Sequence, residues 1–259
     1  MISRSGQRVN YDYIAHLYDE PLRDHSPDPD LSEYLLENSQ LKASGIRVLD
    51  MGCGTGKQLA VNREIYPDPA MVGLDLFWGM LNQAQKRCAT ISWVQGDSSA
   101  TPFPDCAFDY LTNQFSYSHV LDKDHLFTEA FRILKHGGRY TMTHLDPWSM
   151  PGWLVYKYFP AARQRDFKDF LTADRFLDRM LDAGFVNTIV RRSYRSAKLS
   201  LREFHNYALQ RHRTSHLMVI SDRSYEDGLE AVRDDIRQHG ESWLLESQTC
   251  LVAVTGDKP

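Results

Sequence analysis

One stretch decides the fold of this chain: Val48-Leu49-Asp50-Met51-Gly52-Cys53-Gly54-Thr55-Gly56. In it, an apolar, strand-like run leads directly into three glycines at alternate positions. Glycine lets the backbone adopt positive φ and leaves no Cβ between a turn and a ligand that lies against it. In open α/β sheets the first strand-to-helix turn lies at the carboxyl edge of the sheet, where ligands bind. The stretch therefore predicts a ligand-binding loop; a tight turn without a ligand is the alternative.

The surrounding chain repeats this order of strand, turn and helix. Short apolar runs, each followed by a turn signal and by a segment of helical periodicity, predict a parallel sheet flanked by helices. The predicted strands cover residues 47–51, 71–76, 91–95, 108–113, 140–144, 187–194 and 247–254. The predicted helices lie near residues 11–19, 31–41, 57–65, 78–88, 122–135, 172–183, 199–212 and 225–238. Gly137-Gly138 is interpreted as the stop signal of the helix over 122–135.

The domain organisation follows from shifts in composition. Residues 1–44 are polar and interrupted by prolines, which predicts an N-terminal helical cap before a main domain over residues 45–259. After the fifth strand the regular alternation stops, and residues 146–170 are rich in aromatic side chains. We expect residues 146–170 and about 199–240 to form helical insertions on the substrate side of the main domain.

The composition limits the class of protein. The chain has 259 residues, of which 42% are hydrophobic and 25% charged, as in ordinary globular proteins. Its net charge of -4 argues against a nucleic-acid-binding protein and favours a small-molecule partner. The apolar runs are too short to span a bilayer and the N-terminus lacks a secretion-signal pattern, so a cytoplasmic protein without a membrane partner is expected. Four well-separated cysteines suggest neither a zinc site nor a disulfide scaffold.

The glycine spacing discriminates between nucleotide-binding loops. A phosphate-binding loop requires GxxxxGK[ST], but Gly56-Lys57 is followed by Gln58. A dinucleotide fingerprint is GxGxxG, whereas this chain has GxGxG preceded by Asp50. Nucleoside triphosphates are therefore not expected, and an NAD(P)-dependent oxidoreductase is only an alternative.

The stretch over residues 48–56 resembles motif I of the class I S-adenosylmethionine-dependent methyltransferases, VLDxGCGxG, at every fixed position. Three further landmarks follow in the same order: residues 72–76, residues 95–98 and, from Arg132 to Tyr140, a helix-turn-strand element similar to RvLkpGG with His136 in place of proline. Residues 100–110 look like the loop and fourth strand of the small-molecule, ubiquinone-biosynthesis-type ("type 11") branch. The resemblance covers about residues 45–145. It implies a Rossmann-like, seven-stranded, doubly wound sheet with helices on both faces and S-adenosylmethionine as cofactor.

The resemblance also implies roles for single residues. Asp75, at the end of the second strand, would accept hydrogen bonds from the ribose hydroxyls; capping a helix is its alternative role. Asp97 would accept from the adenine amine, with Ser98 supporting the ring. The segment Tyr11–Asp19, which includes Tyr18, is similar to a helix that closes over the methionine end of the cofactor, although a simple packing helix is equally compatible. The other cofactor-binding candidates are Asp50, Gly52, Cys53, Gly54, Gly56, Leu76, Asn113 and Gln114.

The methyl acceptor is expected beyond the ends of strands four and five. His119 and His144 are candidate bases for an oxygen, nitrogen or sulfur acceptor, because imidazole titrates near neutral pH; hydrogen-bonded wall residues are the alternative. Trp148, Trp153 and Tyr156 are candidate substrate-binding residues, and core packing of a helical lid is their alternative.

Other methyltransferase classes are disfavoured by their own motifs. Residues 113–116 do not match the [ND]PP[YF] of amino-group enzymes on nucleic acids, and Cys106 follows Asp105 rather than the proline of cytosine-carbon enzymes. Only Asp122 and Asp146 are plausible metal-binding carboxylates, so no metal is expected. A non-catalytic S-adenosylmethionine-binding partner subunit is the main alternative function, and the oligomeric state is not predicted.

Overall fold

The computed structural model describes residues 9–18, 26–40, 45–120 and 122–259. At the N-terminus it contains one 3₁₀ turn, Tyr11–Tyr13, and helix α1, Pro29–Glu37. The helix predicted over residues 11–19 is therefore only a 3₁₀ turn within residues 11–18, and residue 19 lies outside the described residues. The cap boundary at residue 44 stays a prediction.

Seven strands form one sheet in the order β3-β2-β1-β4-β5-β7-β6, and strands β1 to β5 pair in parallel. Hydrogen bonds join Gly138 to Lys258 and Asp146 to Cys250, so β7 runs antiparallel to β5. The predicted seven-stranded α/β fold with helices on both faces is confirmed. The strands are β1 Arg47–Met51, β2 Ala70–Asp75, β3 Ser92–Gln95, β4 Phe108–Gln114, β5 Leu134–Leu145, β6 Val186–Ser200 and β7 Leu244–Asp257.

The helices alternate with the first strands and then cluster in the second half of the chain. They are α2 Lys57–Ile65, α3 Trp78–Arg87, α4 Lys123–Ile133, α5 Leu154–Tyr158, α6 Pro160–Asp169, α7 Ala173–Asp182, α8 Leu201–Leu209, α9 Ser215–Met218 and α10 Asp222–His239. Two further 3₁₀ turns cover Tyr117–His119 and Arg211–Arg213. Some of the helices start with a side-chain cap: Asp28 caps α1, and Ser200 with Glu203 forms a capping box on α8. Among the described residues, no helix is long and apolar enough to cross a membrane.

The chain divides into two compact units. Of the described residues, the sheet unit contains those within 10–144, 173–191 and 253–259, and the insert unit contains Val9 and those within 145–172 and 192–252. In the sheet unit, Val48, Leu49 and Met51 of β1 are fully buried, as expected for a central parallel strand covered on both faces.

The insert unit has a hydrophobic core of its own. Leu154, Phe159, Phe204, Leu217 and Val232 are among its buried side chains. Residues 146–170 contain α5 and α6, and residues 199–240 contain α8, α9 and α10. That these segments are insertions on the substrate side stays a prediction.

One error in the predicted elements concerns the boundary between α4 and β5, which starts at Leu134 and not at Tyr140. The helix ends at Ile133, and Leu134 is already extended and pairs with Phe108. Gly137 does not stop the helix: it lies within β5 with φ 76°, and its N–H donates to the carbonyl of Lys258 at 2.8 Å. The helix stops early because a strand near the end of the chain supplies hydrogen bonds that local sequence patterns do not reveal.

Candidate functional site

The glycine loop follows β1 at the carboxyl edge of the sheet. Gly52, Gly54 and Gly56 have φ values of 84°, 55° and 73°, in the left-handed region that favours glycine. A Cβ on Gly52 would lie 2.4 Å from Ser116 Cβ, and one on Gly56 would lie 2.4 Å from the ring of Trp93. Packing therefore requires both of these glycines. At Gly54, by contrast, a Cβ would meet no atom within 4 Å among the described residues, so this face of the loop is open.

Asp75 ties the end of β2 to the glycine loop. One carboxylate oxygen, Oδ2, accepts from the N–H of Gly54 at 2.9 Å, and Oδ1 accepts from the N–H of Phe77 at 2.9 Å. The N-cap residue of α3 is Phe77 rather than Asp75. The two carboxylate oxygens of Asp75 thus fix the glycine loop and the start of the segment before α3 to the end of β2.

Asp50 is the buried acid under the loop. Its side chain is 3% exposed, and Oδ1 has no hydrogen-bond partner among the described residues. Burial, followed by the charges of Asp28 and Asp75, raises the pKa of Asp50 to about 8. Burial likewise raises the pKa of the Cys53 thiol well above its usual value, so this cysteine is not a nucleophile at neutral pH.

The end of β4 supports the same loop. Nδ2 of Asn113 donates to the carbonyl of Met51 at 2.8 Å, and the Ser116 hydroxyl donates to that carbonyl at 3.2 Å. Nε2 of Gln114 donates to Oδ2 of Asp28 at 3.2 Å. The side-chain amide of Asn113 thus supports the residue before the loop, and that of Gln114 bonds to the N-cap residue of α1.

The acid at the end of β3 is held by its own turn. Oδ1 of Asp97 accepts from the N–H of Ser99 at 2.9 Å and from its hydroxyl at 2.7 Å. Ser98 is half-buried beside it. On the neighbouring strand, the carbonyl of Leu76 accepts from Nε2 of Gln95 at 3.0 Å. These contacts place the three predicted adenine-side residues at adjoining strand ends.

The N-terminal 3₁₀ turn packs against this edge of the sheet unit. The hydroxyl of Tyr11 lies 2.9 Å from Nε2 of His119, in the turn after β4. The Tyr11 ring also lies 5.5 Å from Phe77 and 5.8 Å from Tyr18. Oδ1 of Asp12 accepts from the N–H of Gly79 at 2.6 Å, which fixes the turn on α3. The candidate base His119 is therefore paired with a phenol.

A demethylmenaquinone methyltransferase of Lactobacillus johnsonii is 30% identical to this chain over 172 residues, which cover 57% of the chain and 70% of the relative. This chain belongs to the S-adenosylmethionine-dependent methyltransferases. A family model described as a methyltransferase domain matches residues 48–138 of the methyltransferase. Other curated relatives of the same name, from Listeria, are matched over about half of their own length. Membership confirms the resemblance and decides against the oxidoreductase alternative.

Solved structures share the fold of the methyltransferase. Phosphoethanolamine N-methyltransferase 2 of Haemonchus contortus, in complex with S-adenosyl-L-methionine, superposes with a TM-score of 0.59 at 20% identity, over 96% of this chain and 57% of that one. The [4+2]-cyclase SpnF superposes with a TM-score of 0.58 at 20% identity, and the match covers 96% of this chain and 94% of the cyclase chain. At these identities the likeness establishes the fold alone.

S-adenosylmethionine fits the loop of the methyltransferase. The left-handed backbone at Gly54 leaves a flat loop surface where a Cβ would otherwise project, and no atom of the described residues lies within 4 Å of that position. The carboxylate of Asp75 is fixed beside that surface by Gly54 itself. A loop without a side chain next to an oriented carboxylate suits a ligand that carries adjacent hydroxyl groups.

The second candidate base has a different environment. His144 is buried in the sheet unit, 4.3 Å from the ring of Phe176 and 6.1 Å from that of Tyr117. This placement favours a wall residue over a group that exchanges protons with solvent. Its catalytic role stays a prediction.

The three aromatic candidates in the insert unit differ in exposure. Trp148 is 38% exposed and stacks on Phe167 at 5.3 Å. Trp153 is half-buried, 4.9 Å from the ring of Tyr156, which is itself buried in the core. Asp146, nearby in sequence, is buried and accepts from Nε of Arg192 at 3.0 Å. The acceptor-binding role of these aromatic residues stays a prediction.

Sequence reasoning missed several residues that the structure singles out. The sequence pattern indicates Tyr11 only as part of a helix, and Asp28, which precedes Pro29, carries a helix N-cap signal but no sign of a functional role. Asp166 and His216 meet in the insert unit at 2.6 Å but are 50 residues apart, and no local pattern indicates this contact. Among the described residues, no cluster of three or more His, Cys, Asp or Glu could hold a metal. The expectation of a metal-free enzyme stays a prediction.

Proposed function

We propose that this methyltransferase transfers the methyl group of S-adenosylmethionine to an oxygen, nitrogen or sulfur atom of a small molecule and releases S-adenosylhomocysteine. The observation that carries the proposal is the glycine loop, open at Gly54 and tied to Asp75 at 2.9 Å. The printed name of the Lactobacillus relative, a demethylmenaquinone methyltransferase, supports a small-molecule acceptor.

The residues of the sheet unit would divide the cofactor between them. Asp75 would accept from the ribose hydroxyls, and Asp97 with Ser98 and Leu76 would hold the adenine. Gly52, Cys53, Gly54 and Gly56 would offer backbone groups, with Asp50, Asn113, Gln114 and Tyr18 around the methionine end. When bound, the sulfonium supplies an activated methyl group, so the protein mainly aligns the acceptor and excludes water.

His119 is the residue best placed to take a proton from the acceptor. Its Nε2 lies 2.9 Å from the hydroxyl of Tyr11, so the phenol fixes the orientation of the imidazole ring. Because a hydroxyl group can both donate and accept a hydrogen bond, Tyr11 can also relay a proton from the imidazole. Tyr11 also packs on Phe77, the residue after Leu76. The 3₁₀ turn and the turn after β4 thus hold one hydrogen-bonded pair within the sheet unit.

Replacement of His119 by glutamine is expected to lower kcat by about 100-fold or more, because general-base contributions typically have this size. Tyr11→Phe is expected to lower kcat less and to shift the pH profile, because the imidazole stays but loses its partner. Neither change should weaken binding of S-adenosylhomocysteine by more than about threefold. The measurement is kcat against pH, together with calorimetric binding. Equal kcat for His119→Gln and the wild type would exclude a role as base.

The proposed activity is tested with S-adenosylmethionine labelled in its methyl group. The purified chain is incubated with acceptors that carry hydroxyl, amino or thiol groups, including reduced naphthoquinones, and labelled product is counted. Transfer to one acceptor class, with stoichiometric formation of S-adenosylhomocysteine, supports the proposal. Binding of the cofactor without transfer to any acceptor would favour a non-catalytic role, and the SpnF cyclase shows that this fold is not restricted to proteins named as methyltransferases.

A further inference from the structure

A buried polar network lies in the core of the insert unit. Asp166 of α6 is 3% exposed, and its Oδ2 accepts from the phenol of Tyr156 at 2.6 Å. The same oxygen lies 2.6 Å from Nδ1 of His216, at the start of α9. A buried carboxylate is costly unless donors satisfy it, and these two groups supply them.

The network fixes which nitrogen of His216 carries the proton. Burial and the neighbouring charge of Asp166 raise the pKa of Tyr156, so the phenol keeps its proton and donates it. The carboxylate oxygen can only accept, so Nδ1 of His216 must be the protonated nitrogen. In a neutral imidazole, Nε2 is then left as a hydrogen-bond acceptor.

Aromatic rings hold the imidazole of His216 in place. The ring of Trp153 meets it edge-on at 5.0 Å and 88°, and the ring of Phe170 lies nearly parallel to it at 6.4 Å and 13°. The His216 side chain is still 11% exposed, and no group in the described part of the chain bonds to Nε2. An acceptor atom with a fixed direction is therefore available between aromatic side chains.

One cation lies beside this network. Arg163 is three residues before Asp166 on α6, and its guanidinium is 5.9 Å from the ring centre of Tyr156 and 5.1 Å from that of Phe167. No carboxylate of the described residues forms an ion pair with it, and its buried Nε has no hydrogen-bond partner there. A half-buried, unneutralised cation favours an oxygen that gains negative charge and disfavours an ammonium group.

We propose that His216, oriented by Asp166, binds a hydroxyl group on an aromatic ring of a small-molecule ligand within the insert unit. The hydroxyl donates to Nε2, the ring lies against Trp153 and Phe170, and Arg163 selects against a cationic ligand. This ligand site does not depend on the proposed function.

The test compares two probes that differ only in the donor group, 2-naphthol and 2-methoxynaphthalene. Calorimetric titration of the full chain is expected to show about tenfold tighter binding of 2-naphthol, because the ether cannot donate to Nε2. Equal affinities for the two probes would overturn the proposal.

Asp166→Ala gives the sharper comparison, because it removes the oxygen that holds the imidazole proton on Nδ1 and lets the proton move to Nε2. The preference for 2-naphthol is then expected to shrink or to disappear. Tyr156→Phe, which leaves the carboxylate and the Nδ1 bond in place, is the matched control and should keep the preference within about threefold. An unchanged preference in Asp166→Ala would contradict the role of the Asp166 and His216 pair.

Nitrogen-15 NMR of histidine-labelled protein reads the protonated nitrogen directly. We expect Nδ1–H in the wild type and a larger share of Nε2–H in Asp166→Ala; Nε2–H in the wild type would overturn the proposal. Circular dichroism and thermal unfolding show whether each variant is folded, and each protein is also titrated with S-adenosylhomocysteine. If the wild type fails to bind S-adenosylhomocysteine, the proposed function is contradicted, whereas the naphthol comparison still decides the role of His216.

Discussion

Replacement of Gly54 by alanine is expected to lower the affinity for S-adenosylhomocysteine by about 100-fold or more. The new Cβ would project from the open face of the loop, where no atom of the described residues lies within 4 Å. Because the ligand needs that face, the methyl group and the ligand compete for the same space. The φ of 55° also strains an alanine, at a cost of about 1–2 kcal/mol in stability.

Gly137→Ala is the matched control for this prediction. Gly137 has φ 76° and equally open surroundings, but it lies within β5 and not in the glycine loop. Both variants should therefore lose similar stability in thermal unfolding, and only Gly54→Ala should lose affinity in calorimetry. Equal affinity of the two variants for S-adenosylhomocysteine would show that Gly54 does not face the ligand.

Replacement of Asp50 by asparagine is expected to change how the stability of the ligand-free protein depends on pH. The pKa of Asp50 is raised to about 8 from an ordinary value of 3.8, so the folded state holds a proton that the unfolded state releases over this range. The resulting stabilisation is fully present below pH 3.8 and is lost as the pH rises through about 8. Between these values the contribution changes by about 1.4 kcal/mol per pH unit.

Denaturant unfolding at pH 6, 7 and 8 measures this effect. The free energy of unfolding of the wild type should fall more steeply with pH than that of Asp50→Asn, which cannot ionise. Asp68→Asn, at an exposed position between α2 and β2, is the control and should follow the wild type. Identical slopes for the wild type and Asp50→Asn would mean that Asp50 is ionised in the folded protein.

The same proton should couple to ligand binding. A ligand that places its ammonium or sulfonium charge near Asp50 lowers the pKa of that carboxyl, so binding at pH 7 should release a proton. Calorimetry of S-adenosylmethionine binding in two buffers of different ionisation enthalpy counts the protons released. The Asp50→Asn variant should release fewer protons than the wild type when it binds S-adenosylmethionine.

Much of the sheet unit was predictable because its patterns are local. β1 runs into glycines whose spacing differs from that of other nucleotide loops, and each of the first four strands is an apolar run followed by a turn. Buried parallel strands leave this signal because both of their faces are covered. The local sequence pattern alone therefore predicts that the glycine loop and Asp75 lie at one edge of the sheet.

The remaining features depend on contacts between distant residues. β5 starts at Leu134 because Phe108 and the terminal strand β7 pair with it, and these pairings compete with the helical pattern of residues 122–135. In the insert unit, Asp166 and His216 lie on separate helices, and their hydrogen bond exists only after the core has packed. Side-chain periodicity reports which face of a helix is apolar but not which polar group it meets.

The central claim is that the glycine loop and Asp75 form an S-adenosylmethionine site. It is tested most directly by calorimetric titration of the purified chain with S-adenosylhomocysteine and, separately, with NADH, repeated on Asp75→Ala. We expect binding of S-adenosylhomocysteine alone, weakened in the variant by about 1–3 kcal/mol because the ribose hydroxyls and the Gly54 N–H lose their acceptor. Binding of NADH instead, or undiminished binding of S-adenosylhomocysteine by Asp75→Ala, would contradict the claim.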